Sequence, residues 1–378
     1  MKLIEQRPIK DFALGIYDGP HATPKESSDG AIFLGIKNIT DDGRLDFSEI
    51  RFVSEEEFPR WTRRVNPSPG DVVFTYEATL HRYAVIPDGF RGCLGRRVAL
   101  IRPDPKKADS RFLLYYLLSH EWRKVVESYI ITGATVDRIP LEKLPDFPAA
   151  LPEIEVQKEI ASVLSAYDDL IENNRRRIAL LEESARLLYQ EWFVRLRFPG
   201  HENTRIVDGV PEGWERVPLG ECVMLNYGKA LKAEDRVNGP FPVYGSSGVV
   251  GSHDNPLAQG PGIIVGRKGN VGSVFWSSKD FYAIDTVYYV DAETSNLYIF
   301  YALKHMHFIS TDVAVPGLNR DLAYSRPLLL PSKSTLMQFL ETVSPMHKQM
   351  AKLEEIITKL KGARDLLLPR LMSGDLVP

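Results

Sequence analysis

The stretch Leu151–Phe198, LPEIEVQKEIASVLSAYDDLIENNRRRIALLEESARLLYQEWFVRLRF, decides how this chain is organised. Apolar or seam positions fall at Ile160, Leu164, Tyr167, Ile171, Asn174, Ile178, Leu181, Ala185, Leu188 and Trp192, in alternating steps of four and three. That spacing is the seam of a coiled coil. Adding 179 to each number gives Phe339, Val343, Met346, Met350, Leu353, Ile357, Leu360, Arg364, Leu367 and Leu371, the same stripe with Arg364 and Asn174 as its polar members. One such helix could simply be amphipathic and pack on its own domain, whereas two in one register indicate an internal repeat. Each seam spans 33 residues, roughly 50 Å of helix, which makes it a rod rather than a core element.

The punctuation repeats as well. Both rods follow a Leu-Pro, at Leu151-Pro152 and Leu330-Pro331, where proline stops the preceding element and can open a helix. Ser344-Pro345 interrupts the second stripe, so a kink there, or a restart with Ser344 as N-cap, is expected. The seam reads the same in both directions. An antiparallel pairing of Ile160 with Leu371 sets Tyr167 opposite Arg364 and Asn174 opposite Ile357.

Upstream of each rod lies a segment rich in Gly and Pro with short β-branched and aromatic runs that read as strands. Pro69–Phe74 matches Pro261–Val265, Tyr83–Ile86 matches Gly272–Phe275, and Arg97–Ile101 matches Thr286–Val290. Shorter helices are expected near 110–128 and 296–308, and a linker over 197–214. The fold class is therefore α+β: two globular α/β domains, at 1–150 and 199–330, separated by long helices at 151–198 and 331–378. These helices pair as an antiparallel coiled coil in a pseudo-twofold internal repeat. A symmetric partner suits such a chain, and duplex DNA or a second protein copy would satisfy the geometry.

Composition sets the outer limits. With 378 residues, 44% of them hydrophobic and 26% charged, the chain can bury at least two cores and is neither disordered nor fibrous. Its net charge of -3 means that any basic surface must be local. Cys93 and Cys222 stand far apart without a CxxC, which argues against a zinc module or a disulfide framework. The stretch Met1–Phe12 lacks a signal-peptide core, and no window approaches a membrane span; a cytoplasmic protein is expected.

Catalytic signatures are missing. There is no GxxxxGK[ST], GxGxxG after a strand, GxSxG or HExxH, and no Asn/Asp-Pro-Pro-aromatic string of amino-methyltransferases. Pro87-Asp88 with Asp104-Pro105-Lys106 nominally matches a metal-dependent nuclease pattern, but Pro105 sits where a strand should hold both ligands, and solvated turns explain it better. His305 and His307 diverge on a helix and lack a third ligand, so no metal is expected. What remains is a set of glycine-flanked polar and aromatic loops in matched places. Their DNA-contact candidates are Tyr17, His21, Thr23, Lys25, Thr75, Tyr76 and Arg82 in the first half. In the second half they are Lys229, Tyr244, Ser246, Ser247, Arg267 and Lys268. Such loops combine groups suited to base edges with backbone that can approach closely, although similar loops are often plain turns.

Several longer strings are more specific. Gly70–Thr79, Thr132–Ile139, Asp168–Arg175 (DDLIENNR), Glu191-Trp192-Phe193-Val194, Val315–Arg320 (VPGLNR) and Leu368–Leu376 (LPRLMSGDL) together resemble the DNA-specificity subunit of type I restriction-modification systems over nearly the whole chain. The resemblance implies a non-catalytic subunit with two target-recognition domains, each reading half of a split site in double-stranded DNA. It implies spacer helices that set the gap, with Ile160, Leu164, Tyr167, Ile171, Asn174, Ile178, Leu353, Ile357, Leu360 and Arg364 on their seam. It also implies assembly with two modification (methyltransferase) subunits and with ATP-driven restriction subunits. No cofactor is then expected on this chain; S-adenosylmethionine, ATP and Mg would sit on the partners. Two other classes fit less well: a stand-alone metal-dependent DNA nuclease, which would need a working metal site, and a coiled-coil scaffold that binds only protein.

Overall fold

The structure is a computed structural model that describes residues 5–25, 27–132, 136–306, 308 and 317–376. Three expectations therefore lie partly outside the described residues: the Gly133–Thr135 run, Val315-Pro316 and the pair partner His307. The chain divides into two compact units, residues 1–172 with 357–378 and residues 173–356, so each long helix passes from one unit into the other.

In the first unit the two larger sheets are built from β1 (Ala13–Asp18), β2 (Ala31–Leu34), β3 (Arg51–Val53), β4 (Val72–Thr75), β5 (Tyr83–Val85), β6 (Gly92–Leu94) and β7 (Val98–Pro103). They form a four-stranded antiparallel sheet in the order β1-β7-β4-β5 and a three-stranded sheet β3-β2-β6 in which β2 and β6 run parallel. Alternation along β4 explains the two cores. Val72 and Phe74 face a cluster with Ile101, Phe112, Tyr116, Trp122 and Phe147, while Val73 faces the other way with Leu34, Ile39, Leu94 and Leu100. Helices α1 (Ser110–Leu118) and α2 (His120–Tyr129) cover the first face, capped by Asp109, which accepts from Phe112 N, and by Ser119, which accepts from Trp122 N. The single helix expected near 110–128 is thus two, because Ser119 leaves the helical conformation to cap the second.

The second unit repeats this plan. Its two larger sheets are built from β8 (Asn226–Tyr227), β9 (Phe241–Gly245), β10 (Gly248–His253), β11 (Gly262–Gly266), β12 (Val274–Ser277), β13 (Tyr282–Ala283) and β14 (Val287–Val290). The sheet orders are β8-β14-β11-β12 and β10-β9-β13, again with one parallel pair, so every strand corresponds to the one seven places earlier. Helix α4 (Leu297–His305), capped by Asn296 accepting from Ile299 N, takes the place of α1, and the short α5 (Arg320–Tyr324) follows. Residues 197–214, expected as a linker, contribute to this core instead: Phe198 and Trp214 are buried with their rings 4.7 Å apart.

The rods are α3 (Ile154–Tyr189), which ends in a π-helical turn at Gln190–Val194, and α6 (Lys333–Ser373). In the first unit Ile160, Ala161 and Leu164 of α3 share a core with Leu371 of α6, while Arg364 reaches Asp168, so rising numbers on one helix meet falling numbers on the other. In the second unit Ala185 and Tyr189 meet Phe339 and Val343 in the same antiparallel sense. Helix α6 is continuous from Lys333 to Ser373, so Ser344-Pro345 does not restart it as a separate helix. An interior proline costs about 3 kcal/mol. Burial of Phe339, Val343 and Met350 on either side contributes about 1.5 to 3 kcal/mol each, which outweighs it.

Candidate nucleic-acid interface

In the first unit β1 delivers Tyr17 and Asp18 to the start of a loop. The Asp18 carboxylate receives Arg64 Nη1 at 2.6 Å and sits 3.1 Å from His21 Nε2, so one acid gathers two basic groups. Thr23 lies on the wall of a cleft of about 590 Å³, together with Lys37, Asn38, Glu49, Arg51, Arg96 and Arg97. Arg97 Nε is 2.9 Å from Glu77 Oε1 and Lys37 Nζ is 3.5 Å from Glu49 Oε2, whereas Arg96 is exposed. With Lys37 and Arg97 each facing a glutamate, Arg51 and Arg96 leave this cleft a net positive wall suited to a phosphate backbone. Arg82, expected at the interface, is partly tied down by donating Nη1 to Ile39 O at 3.2 Å, and Lys25 is exposed.

Three expected contact residues are interior. Thr75 at the end of β4 is fully buried, its hydroxyl unpartnered among the described residues. Tyr76 is 4% exposed and donates to Arg96 O at 2.9 Å, and burial pushes its phenol up to about 12. Tyr244 on β9 is 8% exposed and packs on Phe281. Thr75 ends β4, Tyr76 follows it and Tyr244 lies on β9, and each is packed into the interior beneath the loops rather than out to solvent. They support the loops and present almost no surface to a ligand.

The second unit gathers its basic groups around one ring. Tyr227 on β8 is 49% exposed, with its ring 5.0 Å from that of Tyr288 across the sheet. The Arg267 guanidinium lies over Tyr227 at 5.0 Å, and that of Arg320 lies over the same ring at 5.2 Å and over Tyr324 at 5.9 Å. Arg267 is fixed further by Nη1 donating to Asp285 O at 3.2 Å and by backbone bonds to Thr286 and Leu318. A Cβ on Gly228 would stand 2.0 Å from Ile284 O, so glycine is required for the loop carrying exposed Lys229 to pass. Ser246 Oγ accepts from Asn270 N and its carbonyl accepts from Ser273 Oγ, which makes it a turn lock, whereas Ser247 and Lys268 are exposed. Sequence reasoning placed Tyr227 in a candidate loop, Asn226–Lys229, but did not single out Lys37, Arg51, Arg96 or Arg320. The Arg96-Arg97 pair ahead of β7 was the one available signal.

The seam residues fall where the spacing put them: Ile160, Leu164 and Ile171 are buried on α3, and Leu353 on α6. Asp88 and Asp104 of the nuclease-like string occupy turns, and among the described residues no group of three or more His, Cys, Asp or Glu side chains is placed to hold a metal ion. No described helix is long and apolar enough to cross a membrane.

Residues 30–183 and 211–322 match the family model for the type I restriction modification DNA specificity domain. The chain is 24% identical over 403 residues to the type I restriction enzyme MjaIX specificity subunit of Methanocaldococcus jannaschii, covering 97% of this chain and 88% of that protein. It is 27% identical over 225 residues to the putative MjaX specificity subunit of the same organism, covering 57% of this chain and 52% of that one. Among solved structures, the type I restriction-modification S subunit from M. genitalium aligns with a TM-score of 0.56 at 19% identity, over 97% of this chain and 95% of its own; that likeness shows the fold.

Proposed function

Because this chain belongs to the type I restriction-modification DNA specificity family, whose model covers more than half of its length, we propose that it reads a two-part site in double-stranded DNA, one part with each unit. The observation that carries this reading is the repeated plan itself: each unit has its own sheets, its own core and its own cationic loops. The cleft walled by Arg51, Arg96 and Arg97 serves one half-site and the ring cluster at Tyr227 serves the other. The chain itself is non-catalytic. Chemistry belongs to two modification subunits that use S-adenosylmethionine and to ATP- and Mg-dependent restriction subunits, which dock on it and supply much of the phosphate attraction that a chain of net charge -3 lacks. The long helices space the two readers.

The test is methylation profiling in cells that make the chain with its modification subunits. Replacing Ser247 and Lys268 together should relax one half-site and leave the other intact, by about 1 to 3 kcal/mol per lost base contact. Equal relaxation of both half-sites would reject independent reading. Methyl transfer or DNA cleavage by the purified chain alone, at the level of the assembly, would reject a non-catalytic subunit.

A further inference from the structure

Tyr17 and Tyr227 occupy the same place in the repeat. Tyr17 pairs with Leu100 and Leu100 with Val73, just as Tyr227 pairs with Tyr288 and Tyr288 with Val265. Their cationic neighbours differ. The guanidinium near Tyr17, that of Arg102 at 6.0 Å, is already committed, because it donates to both oxygens of Asp71 at 2.8 and 2.7 Å. Over Tyr227, by contrast, Arg320 has no hydrogen bond or ion pair among the described residues. Two cations sharing one ring repel each other, and among the described residues neither guanidinium is hydrogen-bonded or ion-paired to a carboxylate, so the cluster favours an acceptor from outside the chain.

The way Arg320 is held selects the kind of acceptor. Ring stacking covers the flat face of a guanidinium and leaves the donors on its edge free. Contact with the Tyr227 and Tyr324 rings, at 5.2 and 5.9 Å, also restricts the side-chain torsions before any ligand arrives, which lowers the ordering cost of a two-point contact. A fixed planar fork fits the paired acceptors O6 and N7 of guanine in the major groove, whereas a phosphate can be met by any mobile cation. Exposed Lys268 and Ser247 lie in the adjoining loops, with Arg267 bonded through Leu318 N to the segment that carries Arg320.

We propose that Arg320 is a specificity-determining residue of the second unit, that its guanidinium reads a guanine in the half-site of that unit, and that Tyr227 positions it. The inference rests on the reading of this chain as a DNA-recognition subunit. The test uses the full chain expressed with its modification subunits and maps methylated sites across a genome. Arg320→Ala and Arg320→Lys should both relax a single G·C position in one half-site, with discrimination there falling about 5- to 150-fold, while the other half-site and the gap stay as they were. Lysine keeps the charge and the stem but lacks the fork, so loss in both variants separates base reading from charge and from misfolding. Tyr227→Ala should relax the same position, and Tyr227→Phe should restore it. An unchanged motif with uniformly weaker methylation would make Arg320 a phosphate contact and overturn the proposal, as would relaxation at an A·T pair or no change at all. A wild-type complex with no discrete methylated motif would take down the DNA-recognition reading as well, whereas a clear wild-type motif that the variants leave untouched would remove this inference alone.

Discussion

Arg364 Nη1 lies 2.6 Å from Asp168 Oδ1, and Tyr115 donates to Asp168 Oδ2 at 2.5 Å, so one carboxylate ties together α6, α3 and α1 of the first unit. The antiparallel seam places Tyr167 opposite Arg364; the arginine in fact satisfies the next residue along, which turns a polar interruption of the stripe into a register lock. Burial and the Asp168 charge push the Tyr115 phenol well above its ordinary range, keeping it a donor.

Removing both charged members of this cluster should cost less than the sum of removing each alone. The Arg364 side chain is 14% exposed and that of Asp168 33%, so the pair is worth less than a fully buried one and more than a surface one. Arg364→Met is expected to destabilise the chain by about 2 kcal/mol and Tyr115→Phe by about 1 kcal/mol. Asp168→Leu combined with Arg364→Met should cost clearly less than the two single changes added together, since neither charge is then left unpaired. Strict additivity in denaturant midpoints would show that the pair contributes nothing.

Thr75 supplies a second prediction. Its hydroxyl is buried without a partner among the described residues, and the backbone around it is already paired in the β4–β7 ladder. Thr75→Val keeps the shape and removes the stranded polar atom, so the variant should be as stable as the wild type or more so, by up to about 1 kcal/mol. Its methylated site should not change. A relaxed half-site would mean that this side chain turns outward on DNA.

The long-range plan of the molecule was legible because it is written in periods. Steps of four and three placed Ile160, Leu164, Phe339 and Val343 on their seam, and the match between Pro69–Phe74 and Pro261–Val265 located β4 and β11. The interface was far less legible. Thr75 and Arg267 sit at equivalent ends of equivalent strands, one bonded toward Val98 and the other toward Thr286, yet one is buried and the other partly exposed. Since the register is the same, what separates them is the side chains packed around each site, a tertiary property that the local sequence does not carry. Tyr227 and Arg320 lie far apart in the chain, and no local pattern in either predicts that they stack.

His347 carries a pH dependence whose direction is fixed by its surroundings. Located on α6, it is 2.7 Å from Tyr301 Oη and enclosed by Trp276 and Phe300, in a cavity whose charged lining residues are Glu182, Lys304 and Glu354. Burial, the largest influence, pushes its pKa down to about 4 from an ordinary 6.5. Between those values the unfolded chain binds a proton that the folded chain refuses. Stability from this group is therefore full above about 6.5 and falls as the pH drops towards 4, by on the order of 3 kcal/mol. Glu354 works in the opposite direction: burial raises its carboxyl, so its contribution is present at low pH and lost as the pH rises through the raised value. Comparison with His347→Gln isolates the histidine, because Glu354 is common to both proteins. The wild type minus variant difference in unfolding free energy should decline steadily from pH 7 to pH 4 and stay level above pH 7. A difference that does not vary with pH would mean that His347 takes up its proton as readily in the folded chain as in the unfolded one.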